Sequence, residues 1–599
     1  MNLRRVILRG GLLMTATVSA YALSGCQSAQ TEKIQTEGQK GESGEPEHSD
    51  NQNQDQNDQK GEKGDSPFYA GMAMSETPDL SELLTGSMNL ADYQDKWVYY
   101  EEYGCYGLEY VVYCENPADP VKECMNIYVP EAYMNSDGTI NLEGTVNGYT
   151  AETAPIIYKN GIGGYAQADA SKMSEKNRSY IDQGYIFVSP ASRGKETQAE
   201  DGTYIGKSPA GLVDLKAGIR FLKANDEVMA GDADRIISIG TSAGGAMSAL
   251  LGSTGNVSDY DVYLKEIGAI MDQTDDVYAA QAYCPITDLD HADQAYEWMY
   301  ENLQTYKNSR SNQEGESSDF EKAVSGLMAS EYVDYINALG LKDPETGETL
   351  TLGEDGRSGS FYEYMKKQVE DAATKYLTKL SDGSLSATYS LDDYLKGNYT
   401  KTGRGKRPGE AGKEEAGTDL SSFLTWDGTT AKISSLDDYL SAYNPRMKTV
   451  MAFDNLEMTE NSGENLEFGD ADHKYMHFDS YMSGVLEKLK ESFPSEYAEY
   501  ADAYSAVNGD QELAERKKLL NPLNYIGNQD AKADTAKYIR IRVGTQDADT
   551  SLSISAEVAL TLQNQTDADV DYALVWDQPH GDADYDGELI EWIDQICQK

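Results

Sequence analysis

The chain has 599 residues, enough for a large core in one elaborated domain or two. Lysine and arginine number 50 against 102 aspartate and glutamate, a formal charge of -52, which excludes nucleic acid as a partner and direct docking on anionic lipid. The cysteines number 6, with no CxxC pair and no Cys/His metal spacing, so no metal and no cofactor is expected.

The chain opens as an export signal. Met1-Asn-Leu-Arg-Arg is a basic start, and an apolar stretch broken by Arg9 runs over 6–23. Such a stretch is cleaved and does not span a membrane. It closes on Leu23-Ser24-Gly25-Cys26, which resembles a bacterial lipobox. That resemblance implies a signal peptide over 1–25, acylation of Cys26 and a lipoprotein on the outer face of the cell membrane. A plain cleaved signal with an incidental cysteine is the other reading. A polar tether is expected over 26–88; up to about Pro67 it has almost no apolar side chains to bury.

Cys105, Cys114 and Cys124 follow close together, and export permits a disulfide among them whose pairing is not readable. Apolar runs at 125–129, 155–159, 185–189, 235–239, 279–283, 538–543 and 570–576 read as buried parallel strands. Between the runs at 185–189 and 235–239, Leu212, Leu215, Ile219 and Leu222 share one face of a helix over 211–225. Strand, helix, strand reads as a crossover in an open α/β sheet. The stretch 286–520 is rich in Tyr, Asp, Glu and Lys and reads as an insertion between the sixth and seventh strands. It leaves 89–285 and 521–599 as the sheet domain. Tyrosines number 43 against 10 phenylalanines. They suit either a polar aromatic binding surface or a wet, mobile insertion.

The run Arg235-Ile-Ile-Ser-Ile-Gly-Thr-Ser242-Ala-Gly-Gly245 is strand, sharp turn and helix start, with Ser242 at the apex as candidate nucleophile. A serine needs a base and a carboxylate that orients the base. There are 5 histidines, and His580 alone follows a strong late strand. The preceding strand ends in Gly544-Thr-Gln-Asp547-Ala-Asp549, which puts two carboxylates at the sheet edge that binds ligands. Spacing does not say which of the two serves His580. Ala243 supplies one oxyanion N–H. The loop Lys159-Asn-Gly161-Ile-Gly163-Gly164 supplies the second, with Gly163 preferred over Gly161 and Gly164. Asp582-Ala-Asp584-Tyr-Asp586-Gly587 mimics the start of a calcium loop, but Ile593 stands where the bidentate Glu is needed, so a solvated acidic loop is expected.

These residues resemble the bacterial tannases, which are α/β-hydrolases. The carriers are Gly240-Thr-Ser-Ala-Gly-Gly245, Ala282-Tyr-Cys-Pro-Ile-Thr-Asp-Leu-Asp-His-Ala-Asp293, Ala452-Phe-Asp454, Gly463-Glu-Asn465, Asp547-Ala-Asp549-Thr-Ser and Trp576-Asp-Gln-Pro-His580. The resemblance implies an α/β-hydrolase fold with a large inserted lid. It assigns the triad to Ser242, Asp547 and His580, and the galloyl-binding groups to Asp549, Lys448 and Glu464. Two extra residues around 460–462 separate Lys448 from Glu464. The adjacent cysteines of fungal tannases and feruloyl esterases are replaced by Thr241 and Pro579. Two carboxylates and an ammonium suit the three phenolic hydroxyls of gallate. The plain alternative for Lys448 and Glu464 is a surface ion pair. The expected partner is a small galloyl ester, acting on a monomer. A broader carboxylesterase of feruloyl or acetyl-xylan type is the first alternative. A non-catalytic polyphenol- or glycan-binding lipoprotein is the second.

Overall fold

The apolar runs become strands of one sheet of 9. The computed structural model describes residues 77–308, 313–402, 414–459 and 462–598. The signal, Cys26 and most of the tether fall outside them. The strands are β1 (Val98–Tyr100), β2 (Cys105–Val112), β3 (Cys124–Pro130), β4 (Pro155–Lys159), β5 (Ile186–Pro190), β6 (Asp232–Thr241), β7 (Ala279–Tyr283), β8 (Tyr538–Gln546) and β9 (Asp569–Pro579). Their order in space is β1-β2-β3-β5-β4-β6-β7-β8-β9. From β5 to β9 every pairing is parallel; β1, β2 and β3 are added antiparallel. Chain order reverses around β4 and β6, the switch point at which open α/β sheets hold ligands.

The helices that matter below are α1 (Ala210–Ala224), α2 (Ala243–Ser253), α3 (Ala292–Tyr300), α4 (Asp319–Leu339), α5 (Ser360–Asp382), α6 (Leu552–Gln565) and α7 (Glu588–Cys597). The insertion carries α3 to α5 and small two-stranded hairpins. It enters between the sixth and seventh strands only if the three-residue edge strand β1 is left uncounted. Both β1 and β2 are absent from the sequence reading. The exposed or half-exposed Val98 and Tyr residues of β1 form no apolar run.

Three further expectations are corrected. The tether ends before 88, because Leu84 already bridges to Val111 beside β2. Cys105, Cys114, Cys124, Cys284 and Cys597 are all free and all buried. Several of the insertion's tyrosines are buried rather than wet. Tyr332 donates to Ser553 Oγ at 2.6 Å on α6, and Tyr394 accepts from Trp576 Nε1 at 2.9 Å on β9. Tyr443 donates to Asp577 at 2.8 Å, and Tyr439 donates to the Thr545 carbonyl. Each ring fills the seam between insertion and sheet while its hydroxyl satisfies a buried polar group.

Strand β8 alternates Ile539, Ile541 and Val543 with Arg540 and Arg542. Both guanidiniums are buried and paired, Arg542 with Asp571 at 2.6 Å and Arg540 with Asp584 at 2.7 and 2.8 Å. The supposed solvated loop after β9 is therefore tied to the sheet through Asp584. Breaking such a buried pair by removing one partner would leave an uncompensated charge.

Candidate active site

Strand β6 runs straight into α2, and the joint is Ser242 at φ 63 and ψ -125. A non-glycine residue in this conformation is strained and is held only by what surrounds it. The turn closes because Gly240 and Gly244 lack side chains. A Cβ on Gly240 would lie 2.1 Å from the Gly244 carbonyl oxygen, and one on Gly244 would lie 2.5 Å from Asn160 Oδ1. Ser242 N–H donates to the Tyr283 carbonyl at 2.9 Å, and the Ser242 carbonyl accepts from Ala246 at 3.0 Å. Ala243 is the first helical residue, so its N–H has no intrahelical acceptor and faces the α2 N-terminus. Loop 160–165 is fixed against the same turn, since Gly244 N–H donates to the Ile162 carbonyl at 3.0 Å. This places Gly163 one residue from that anchor.

Asp547 leaves β8 in a turn closed by its own N–H on Gly544, and Asn444 Nδ2 holds its carbonyl at 3.1 Å. The loop after β9 brings His580 back to it. Asp547 Oδ2 accepts from His580 Nδ1 at 2.8 Å, whereas Asp549 Oδ2 stands at 3.6 Å. Of the two carboxylates Asp547 is thus the nearer to His580, and it is 0% exposed. Asp549 N–H donates to the other Asp547 oxygen at 2.9 Å, which keeps the pair in register. His580 Nε2 is buried and, among the described residues, has no hydrogen-bond partner, Ser242 Oγ included. Nucleophile and base are often this loose before substrate tightens them.

Burial disfavours the imidazolium, but Asp547 and Asp549 outweigh it and hold the His580 pKa well above the ordinary histidine value. The base must be neutral to take a proton. Activity should therefore fall with decreasing pH already above the usual histidine range. The protonated ring adds stability that is full below the unfolded histidine pKa and is lost as pH rises through the raised folded value.

Two expected outcomes separate the carboxylates. Asp547→Asn should cut kcat by about 10³-fold, less than in a triad with a single acid, because Asp549 still flanks the ring. Asp549→Asn should shift the acid limb of kcat/KM to lower pH and raise KM. Reversed phenotypes in the pH–rate profiles would overturn the assignment.

Sequence reasoning missed two supports of the base. Thr241, next to the nucleophile, donates to Asp582, two residues past His580. It ties the Ser242 and His580 turns together. Cys284, at φ 41, is the other. Its Sγ, an Asp547 oxygen and a His580 nitrogen all lie within 4.8 Å of one another. The clue was present in the Ala282-Tyr-Cys-Pro run, but nothing in the spacing pointed Cys284 at the base. These three groups could hold a soft cation, which would occupy the base and block the triad. Burial pushes the Cys284 thiol pKa up, so it is a neutral packing group.

The Lys448 backbone is fixed by Arg446, whose Nε donates to the Lys448 carbonyl at 2.8 Å. The Arg446 fork itself grips buried Glu297 at 2.6 and 2.8 Å. Lys448 Nζ sits 3.9 Å over the Phe453 ring. It forms no ion pair with Glu464 or any other described carboxylate. The surface ion pair is therefore ruled out. Glu464 opens a short helix, Gly463–Glu467. Asp454 holds that helix, accepting from Asn465 at 2.7 Å and from His477 at 2.6 Å. Asp293 holds Phe453 and Asp454 by their backbone N–H groups at 2.9 and 3.0 Å. The extra residues at 460 and 461 lie outside the described residues.

The BD-FAE family model matches residues 148–337, a span that includes the Ser242 turn. A tannin acyl hydrolase from Lactobacillus plantarum is similar at 32% identity, covering 82% of this chain and 94% of its own, with a TM-score of 0.66. A Fusobacterium nucleatum tannase is similar at 34% identity, covering 82% and 95%, with a TM-score of 0.65. A tannin acyl hydrolase in complex with ethyl gallate is similar at 32% identity, covering 82% and 94%, with a TM-score of 0.65. Among curated protein sequences there is no match.

Proposed function

This chain belongs to the tannases, ester hydrolases of the α/β-hydrolase fold, and from that premise we propose that it cleaves galloyl esters through a galloyl–Ser242 intermediate. Ser242 Oγ attacks the acyl carbonyl while His580 Nε2 takes its proton. Asp547 holds the ring in the required tautomer. The N–H of Ala243 and that of Gly163 receive the oxyanion at the α2 N-terminus. His580 then gives its proton to the leaving alcohol, and water repeats the sequence on the acyl-enzyme.

The observation that carries this reading is the 2.8 Å Asp547–His580 contact, whose loop is tied to the strained Ser242 turn by the Thr241–Asp582 hydrogen bond. Lys448, Glu464 and Asp549 supply the groups that would read the ring hydroxyls. A relative with ethyl gallate bound supports the substrate class. Gallate release from methyl gallate, measured beside ferulate release from methyl ferulate, tests it. Faster ferulate release would favour the broader carboxylesterase. Attachment at the cell surface through Cys26, with the enzyme acting as a monomer, belongs to the same proposal and rests on the sequence. Loss of palmitate labelling in Cys26→Ser is its check; retained labelling would refute it. Among the described residues no helix is long and apolar enough to cross a membrane.

A further inference from the structure

Lys195 lies in the loop after β5 and is 7% exposed. Its backbone N–H donates to the Tyr165 carbonyl at 2.9 Å, at the outer end of the loop whose inner end rests on Gly244. Its carbonyl is gripped by Lys207 Nζ at 2.6 Å, and the same ammonium holds the Leu466 and Lys474 carbonyls at 2.7 and 2.6 Å. Lys207 thereby locks the Lys195 loop to the helix that carries Glu464. The Lys195 ammonium points at the start of that helix. A Cβ on Gly463 would lie 3.2 Å from Lys195 Nζ and 3.7 Å from the Gly164 carbonyl oxygen.

A buried ammonium ordinarily finds an acceptor. Lys195 Nζ makes no hydrogen bond or ion pair among the described residues. The charges that face it are Glu464, Glu196 and Glu467. Burial pushes the Glu467 pKa up to about 8, and Lys207 and Lys195 draw it back only in part, so it is a weak counter-charge at neutral pH. Burial also lowers the Lys195 pKa, against the pull of Glu464. The Glu464 carboxylate acts on the ammonium but forms no ion pair with it. An open donor beside an open acceptor matches two adjacent hydroxyls on one ring. The carboxylate accepts one O–H, and the ammonium donates to the next oxygen.

We propose that Lys195 is a further substrate-contacting residue that, paired with Glu464, binds two adjacent phenolic hydroxyls of the acyl ring. The inference rests on the galloyl esterase reading above and adds a second cation to it. A lysine with a purely architectural role would instead be saturated by carbonyls, as Lys207 is.

The test compares wild type, Lys195→Ala and Lys195→Arg of the full chain on methyl gallate and p-nitrophenyl acetate, whose acyl group has no ring. Lys195→Ala should raise KM for methyl gallate at least about tenfold, the loss of one charge-assisted hydrogen bond. Its kcat/KM on p-nitrophenyl acetate should stay within about twofold. Lys195→Arg should recover most of the methyl gallate KM. Equal losses on both esters would make Lys195 architectural and overturn the proposal. So would an unchanged KM for methyl gallate in Lys195→Ala. If wild type does not cleave methyl gallate, the underlying reading fails and this inference with it.

Discussion

Ser242→Ala should lose about 10⁶-fold in kcat on methyl gallate while gallate still binds. The size of the effect follows from the site. His580 Nε2 has no other described partner, so no second hydroxyl stands ready to replace Ser242 Oγ. The α2 N-terminus and the Ala243 N–H are aimed at the same turn, and neither can act without an acyl group to hold. What remains is water attack helped by the oxyanion donors, roughly 10³–10⁴-fold over the uncatalysed reaction. Alanine fits the strained turn as well as serine does, because both carry a Cβ at φ 63. The melting temperature should therefore change little. More than a few per cent of wild-type turnover in this variant would place the nucleophile elsewhere.

The second large effect is discrimination by the ring hydroxyls, about 10⁴-fold in kcat/KM between methyl gallate and methyl benzoate. Lys448 has no described carboxylate partner and rests on the Phe453 face. A benzoyl ring would cover that ammonium and the Glu464 carboxylate without pairing them. Leaving buried polar groups unpaired costs more than a missing apolar contact. Methyl protocatechuate, with two adjacent hydroxyls, should fall between the two esters. Lys448→Ala should narrow the gap, because the variant no longer has an ammonium to leave unpaired. A gap that survives Lys448→Ala unchanged would remove Lys448 from recognition.

The candidate catalytic turns were legible because each is local. A buried strand ends, and Ser242, Asp547 or His580 stands within a few residues of that end. Hydrophobic runs mark such strands, and chain order alone then puts acid before base. Strand β1 was not legible, because its three mostly exposed residues carry no apolar run, and β2 was missed although Tyr110, Val111 and Val112 are apolar, because Gly107 and Glu109 interrupt the strand before them. Partnerships between distant segments were equally hidden. Asp582 and Asp584 read as a solvated acidic loop until Thr241 and Arg540 came into reach from other strands. Lys195 had no signal at all, being one basic residue in a polar loop. Its significance comes from burial and from the Glu464 helix that packs against it. The insertion's tyrosines followed the same pattern. Composition showed their excess, and only the packed seam showed that their hydroxyls hold the insertion to β8, β9 and α6.

The central claim is that this triad serves a site built to read phenolic hydroxyls. Its most direct test is kcat/KM of the wild-type enzyme on methyl gallate and methyl benzoate, measured together so that the leaving alcohol is the same. The account predicts a ratio of about 10⁴ in favour of methyl gallate. Comparable values for the two esters would contradict it, leaving a general esterase in which Lys448, Glu464 and Asp549 take no part in choosing the substrate.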